Sequence, residues 1–139
     1  MEIIANALQT VEAGQNVQFT NTVVYGCNSI IHRVGSGLIT LRGLTNQCRA
    51  RFKVSFGGNI AIPTGGTVGP ISLAISVSGE PIAATTMIST PAAAEEFNNV
   101  FSAVYLDVPA GCCLTVSVRN TSEDAIDVQN ANLIVERVA

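Results

Sequence analysis

Apolar residues recur at every second position along much of this chain, in runs separated by turns marked with glycine and proline. Val100, Val104, Leu106 and Val108 share one phase with Ser102, and after the turn Pro109-Ala110-Gly111 the alternation resumes at Cys112, Leu114, Val116 and Val118. A period of two puts successive side chains on opposite faces of a pleated backbone, so the stretch from Phe97 to Ala139 predicts antiparallel strands and not helices. Upstream, Ala50, Phe52, Val54 and Phe56 alternate with Arg49, Arg51, Lys53 and Ser55. That predicts a half-buried strand whose polar face is basic. In the next strand Leu73, Ile75 and Val77 oppose Ser72, Ala74, Ser76 and Ser78, a face small enough for another sheet or subunit to approach closely.

The segments from Ser29 to Val34 and from Leu38 to Arg42 flank Gly35-Ser36-Gly37 and predict a hairpin. Leu8 to Glu12, Val17 to Phe19, Thr22 to Tyr25, Thr85 to Ser89 and Asn132 to Val138 supply further short strands. Gly57-Gly58-Asn59 and the loop 63–70 are expected to interrupt the pattern, and the alanine-rich piece from Pro91 to Phe97 to form a loop or a single turn. The sum is about eight to ten strands, as in a two-sheet sandwich or jelly roll. A length of 139 residues suits a single domain over 1–139.

Composition moves the picture towards assembly. Apolar residues make up 47% and charged residues 12% of the chain, about half the charged share usual for soluble domains. The implied surface is expected to bury part of its apolar area against further copies. A net charge of −3 argues against a general nucleic-acid role, which needs a basic stripe. No segment is apolar and long enough to span a bilayer, so no membrane partner is expected. The opening residues Met1-Glu2-Ile3-Ile4-Ala5-Asn6 lack the charged and then apolar regions of an export signal. On that basis Cys27, Cys48, Cys112 and Cys113 are expected to be free and mostly buried thiols.

Candidate chemistry is sparse, and no enzyme, cofactor or metal is expected. His32 is the sole imidazole. It could act with Cys27 or Cys48 as a nucleophile's base, but the favoured reading is a hydrogen-bonded interior or interface residue. Glu95 and Glu96 are sequence neighbours, and a glycosidase needs two carboxyls facing each other across a cleft. Glu123, Asp124 and Asp127 lack the spacing of a calcium loop. Gly35-Ser36-Gly37 and Gly65-Gly66 precede no helix N-terminus that could hold phosphate. The least ordinary feature is the concentration of five of the seven basic residues, Arg33, Arg42, Arg49, Arg51 and Lys53, in one short span. Either they form salt bridges between subunits, to Glu80, Glu95, Glu96 or Asp107, or they form a docking patch for an acidic partner such as a capsid shell or an anionic glycan.

The order of turns and strands resembles a known family. Val11-Glu12-Ala13-Gly14-Gln15-Asn16-Val17 opens it, a glycine-rich hairpin precedes Leu38-Ile39-Thr40-Leu41, and Arg51-Phe52-Lys53-Val54-Ser55-Phe56 follows. A central strand from Leu73 leads into Ser78-Gly79-Glu80-Pro81. The close is Leu106-Asp107-Val108-Pro109-Ala110-Gly111-Cys112-Cys113-Leu114-Thr115-Val116-Ser117-Val118-Arg119-Asn120 and a last apolar strand. This pattern is similar to the tumour-necrosis-factor-like jelly roll of complement globular heads and of small trimeric surface and virion modules in bacteria and their phages. The resemblance implies an all-β antiparallel sandwich, a homotrimer around an apolar axis, and no catalytic signature. It points to a structural virion protein, a phage capsid-decoration or head-fibre module assembled in the host cytoplasm, whose partners are its own copies and the major capsid protein or another virion protein. The alternative is a recognition module on a bacterial cell or spore surface that binds a glycan or protein receptor through loops at one end, 63–70 and 90–99 being the candidates.

Overall fold

The computed structural model describes residues 1–139. Twelve strands are joined by turns, with one 3-10 turn at Ala83–Thr85 and no α-helix: β1 (Glu2–Ala5), β2 (Gln9–Val11), β3 (Asn21–Val24), β4 (Ile30–His32), β5 (Ile39–Arg42), β6 (Arg49–Ala61), β7 (Ile71–Val77), β8 (Glu80–Pro81), β9 (Met87–Ser89), β10 (Asn98–Pro109), β11 (Cys113–Asn120) and β12 (Ile126–Arg137). They form two antiparallel sheets. The first runs β10-β6-β12-β1-β3, with β2 also on β12; the second runs β4-β5-β11-β7-β8, with β9 also on β7.

The alternation explains why the sheets stack. Ala50, Phe52, Val54 and Phe56 of β6 are fully buried, as are Leu133 and Val135 of β12, and across the core Ile39, Leu41, Leu73, Ile75, Val116 and Val118 of the second sheet are buried as well. Each such large aliphatic or aromatic side chain contributes about 1.5–3 kcal/mol when removed from water. Phe19 meets Phe56 edge to face at 6.4 Å between centroids and joins the two layers.

Several expectations change at this level. The strand starting at Arg49 does not stop at the glycines but continues to Ala61. A side chain at Gly58 would stand 3.3 Å from the Phe56 ring and 3.5 Å from the Ala131 backbone, so this glycine marks a close approach inside a strand and not a break. The final strand begins at Ile126, six residues before the expected start, because a bulge between Gln129 and Asn132 shifts its phase. Asn130 occupies the left-handed region there at φ 56, which asparagine tolerates better than most residues. Val17 and Phe19 are fully buried on either side of an exposed Gln18, yet the segment is not a strand, although the Val17 N–H reaches the Val118 carbonyl at 2.8 Å. The small face of β7 is covered by its own chain: Ala74 and Ser76 are fully buried, the Ile82 N–H donates to the Ile75 carbonyl, and the Thr85 hydroxyl accepts from the Ile75 N–H at 2.9 Å. All four cysteines are free, as expected, but they are exposed and not buried. They sit in the loops and strand ends at the Arg49 end of β6, where Cys48 and Cys112 carbonyls accept from Ala110 and Gly43.

Candidate functional site

Two surfaces carry what the core does not use. The first is the outward face of the β10-β6-β12-β1 sheet. Arg49, Arg51 and Lys53 point outward along β6, and antiparallel register sets Arg51 opposite Asp107. The Arg51 guanidinium grips that carboxylate with Nε at 2.8 Å and Nη2 at 3.2 Å, while Arg49 Nε stands 3.3 Å away. Hydrogen bonding from Arg51 lowers the Asp107 carboxyl below its ordinary value, against a smaller opposing effect of desolvation, and raises Arg51 in return. The Asp107 partnership thus forms within one chain. The five basic residues do not make one patch, because Arg33 and Arg42 belong to the hairpin of β4 and β5 in the other sheet. Arg42 shares an end of the sandwich with Arg49 but not a face, and its Nη1 donates to the Asn28 carbonyl at 3.4 Å.

Beside the ion pair the same face turns apolar. Register aligns Phe101, Gly57, Asn132 and Ile4 in one row, Ala103, Ser55, Ile134 and Glu2 in the next, and Tyr105, Lys53 and Glu136 in a third. Phe101 and Tyr105 are 67% and 62% exposed, and Ile134 is 40% exposed. The Phe101 ring lies beside Gly57, where a Cβ would make an ordinary van der Waals contact with its Cδ2 at 3.6 Å. Farther along, the Asn99 amide donates to Asn59 at 3.2 Å and the Asn59 amide to Asn130 at 3.4 Å. This apolar centre lies in the phase of β10 opposite to its core residues. The two aromatics at polar-phase positions were its visible signal in the sequence.

The second surface is a cleft of about 760 Å³ at the other end of the sandwich, between the loop 62–70 with the start of β7, Ile88 and the loop 121–125. One wall is anchored by Asn120, 1% exposed, whose amide donates to the Val11 and Asp124 carbonyls at 2.9 Å and whose carbonyl accepts from the Ser122 N–H. The other wall is held by a turn with Gly65 at φ 78, by the Gly66 N–H on the Pro63 carbonyl at 2.9 Å, and by Thr64, whose hydroxyl donates to the Glu95 carboxylate. Ser72 and Thr121 hydroxyls meet at 2.7 Å. Of the loops expected to face a partner, 63–70 lines this cleft, whereas 90–99 does not. Nothing in the sequence pattern marks Asn120 as the organising residue.

The remaining candidates lie apart. His32 is half-buried: its Nε2 stands 2.9 Å from the Ser36 carbonyl, as the expected hydrogen bonding requires, and its ring packs edge-on against Phe19 at the margin of the core. Its Nδ1 is buried without a hydrogen-bond partner. Asp127 is nearly buried on β12 and accepts from the Thr10 hydroxyl at 2.8 Å, while Glu123 and Asp124 are exposed in the preceding loop. No three His, Cys, Asp or Glu side chains are placed to hold a metal ion. The Cys27 thiol is lowered below its ordinary value, chiefly by the Ser29 backbone N–H, with burial opposing and Arg137 adding a weaker pull. Arg137 itself donates to the Leu44 carbonyl at 2.8 Å and the Ser29 hydroxyl at 3.3 Å.

No family model and no curated protein matches the chain. Among solved structures, the globular domain of zebrafish complement 1qA protein superposes with a TM-score of 0.59 over 96% of this chain and 93% of that one, at 12% identity. The chain has a complement-1q-type jelly-roll fold. Weaker likenesses are the C-terminal domain of EclA, a sugar-binding protein (TM-score 0.43, 15% identity, 95% and 80% covered), and a CBM35 from Cellvibrio japonicus Abf62 (TM-score 0.40, 8% identity, 100% and 98% covered).

Proposed function

We propose that this jelly roll is a non-enzymatic structural module that trimerises through the outward face of its first sheet and is displayed on a larger particle, a phage virion being the setting its resemblance suggests. The observation that carries the self-association is the apolar centre formed by Phe101, Tyr105 and Ile134 beside a twelve-residue edge strand, β10. A long edge strand with alternating outward aromatics is a liability unless another chain covers it. The edge of one copy resting on the face of the next is a heterologous contact, and with a rotation of about 120° between copies it closes into a three-membered ring. The intrachain pairing of Arg51 and Asp107 supports this placement, since it leaves neither group an unpaired charge at the margin. Light scattering in the presence of chelator should give about three times 14.5 kDa, and Tyr105→Asp should yield monomers. A wild-type monomer at micromolar concentration overturns the assembly. Portal, protease and capsid genes beside this one support the virion setting, whereas sporulation or collagen-like neighbours favour a bacterial surface.

A recognition role is the second reading, favoured by the cleft between the loops 62–70 and 121–125. It lies at the end of the sandwich and away from the proposed subunit contact, where a trimer would present three copies. Depletion of the protein by whole host cells or by an array of immobilised glycans tests it.

A further inference from the structure

Resting on that recognition reading, we infer that the cleft is a binding site for a saccharide that carries no negative charge. Its size falls within the range of ordinary ligand sites. Both walls are held in place before any ligand arrives, by Asn120 on one side and by the Thr64–Glu95 contact on the other. A site fixed in this way loses little ordering entropy on binding.

The polar groups that line it select the ligand. Hydroxyls of Thr67 and Thr121, the backbone of Gly65 and Gly69, and the carboxylates of Glu123 and Asp124 offer donors and acceptors suited to sugar hydroxyls. The chain's ion pairs involve Asp107 alone among its acids, so Glu123 and Asp124 stand unpaired. No lysine, arginine or histidine occurs from residue 54 to residue 118, and none lines the cleft. A phosphate, sulfate or sialic acid entering here would meet two carboxylates and no cation, an arrangement that rejects it. Val68 and Ile88, 54% and 68% exposed, give the carbon face of a sugar ring an aliphatic surface. They are not aromatic, so affinity per site is expected in the millimolar range, and display of three sites would raise it.

The test is an NMR titration of the intact, isotopically labelled protein with maltotriose, the N-acetylglucosamine trimer and 3′-sialyllactose at millimolar concentration. At least one neutral sugar should shift the amides of Gly65, Thr67, Ser122 and Asp124 saturably, and sialyllactose should not. Thr67→Val, an exposed loop change, should weaken that binding by up to about tenfold. The Glu123→Gln, Asp124→Asn double variant should bind the neutral sugar more weakly and lose the discrimination, so that sialyllactose shifts the same amides to a similar degree. Equal binding of sialyllactose by the wild type, shifts confined to other surfaces, or no shift with either neutral sugar overturns the proposal. Retention on a glycan array without shifts in the cleft sinks this site and leaves the recognition role standing; loss of both removes the two together.

Discussion

Phe52 and Arg51 are neighbours in sequence and opposites in consequence. Phe52 is fully buried against the second sheet, so Phe52→Ala leaves a void and should cost about 3–5 kcal/mol in urea unfolding. Arg51 faces outward, and its loss leaves Asp107 with Arg49; Arg51→Ala should leave the melting temperature nearly unchanged. Should the basic face dock the particle, the same variant weakens attachment in a salt-dependent way. The Asp107 carboxyl is lowered in the folded chain. Its pairing therefore stabilises above the ordinary value of 3.8 and is lost as pH falls through the lower folded value. Acid titration of wild type and Asp107→Asn should show a difference above that pH that closes below it. At the thiols, native alkylation should add four labels, since all four cysteines are exposed. Cys27 should react first near neutrality, with an advantage that fades as pH approaches the ordinary thiol value of 9.0.

Among the elements, β12 shows what alternation reveals and what it hides. The run from Leu133 onward was legible because its period is unbroken, and the same holds for β6 up to Phe56 and for β10. The first half of β12 was obscured because Ile126 and Val128 lie in the opposite phase from Ala131 and Leu133, and only the bulge at Asn130 reconciles them. The glycines of β6 were misleading for a related reason: a local breaker signal gives way when neighbouring side chains fill the space. The bulge makes a sharp prediction. Asn130 and Ala131 together stand opposite Gly58, between the pairs Gln129–Asn59 and Asn132–Gly57. Deleting Asn130 restores a regular ladder and keeps Leu133 and Val135 inward, so the protein should still melt cooperatively. Deleting Ile134 instead turns Val135 outward and Glu136 into the core, and circular dichroism should show no cooperative transition.

For the whole molecule, the sandwich was legible from strand count and turn spacing, but its functional surfaces were only partly so. The basic strand could be seen, and Asp107 was one of four acids expected to pair with it across subunits; that the pair forms within one chain could not be read, because that requires the register between strands far apart in sequence. The loop 63–70 stood out by its glycines, whereas the opposing wall depends on one buried asparagine amide with no sequence signature. Asn120→Ala should cost about 1–3 kcal/mol, the penalty of leaving buried carbonyl groups unsatisfied, and hydrogen exchange should accelerate in 121–125 before the rest of the fold loosens.

The four exposed thiols lie at the end where β6 begins, and the cleft lies beyond the end where it stops. Maleimide chemistry would consequently mark a single pole. Tethered to a sensor chip through these sulfurs, every molecule would stand with its cleft towards the solution, and gold clusters attached in the same way would show by electron microscopy which pole faces a particle to which the protein is bound.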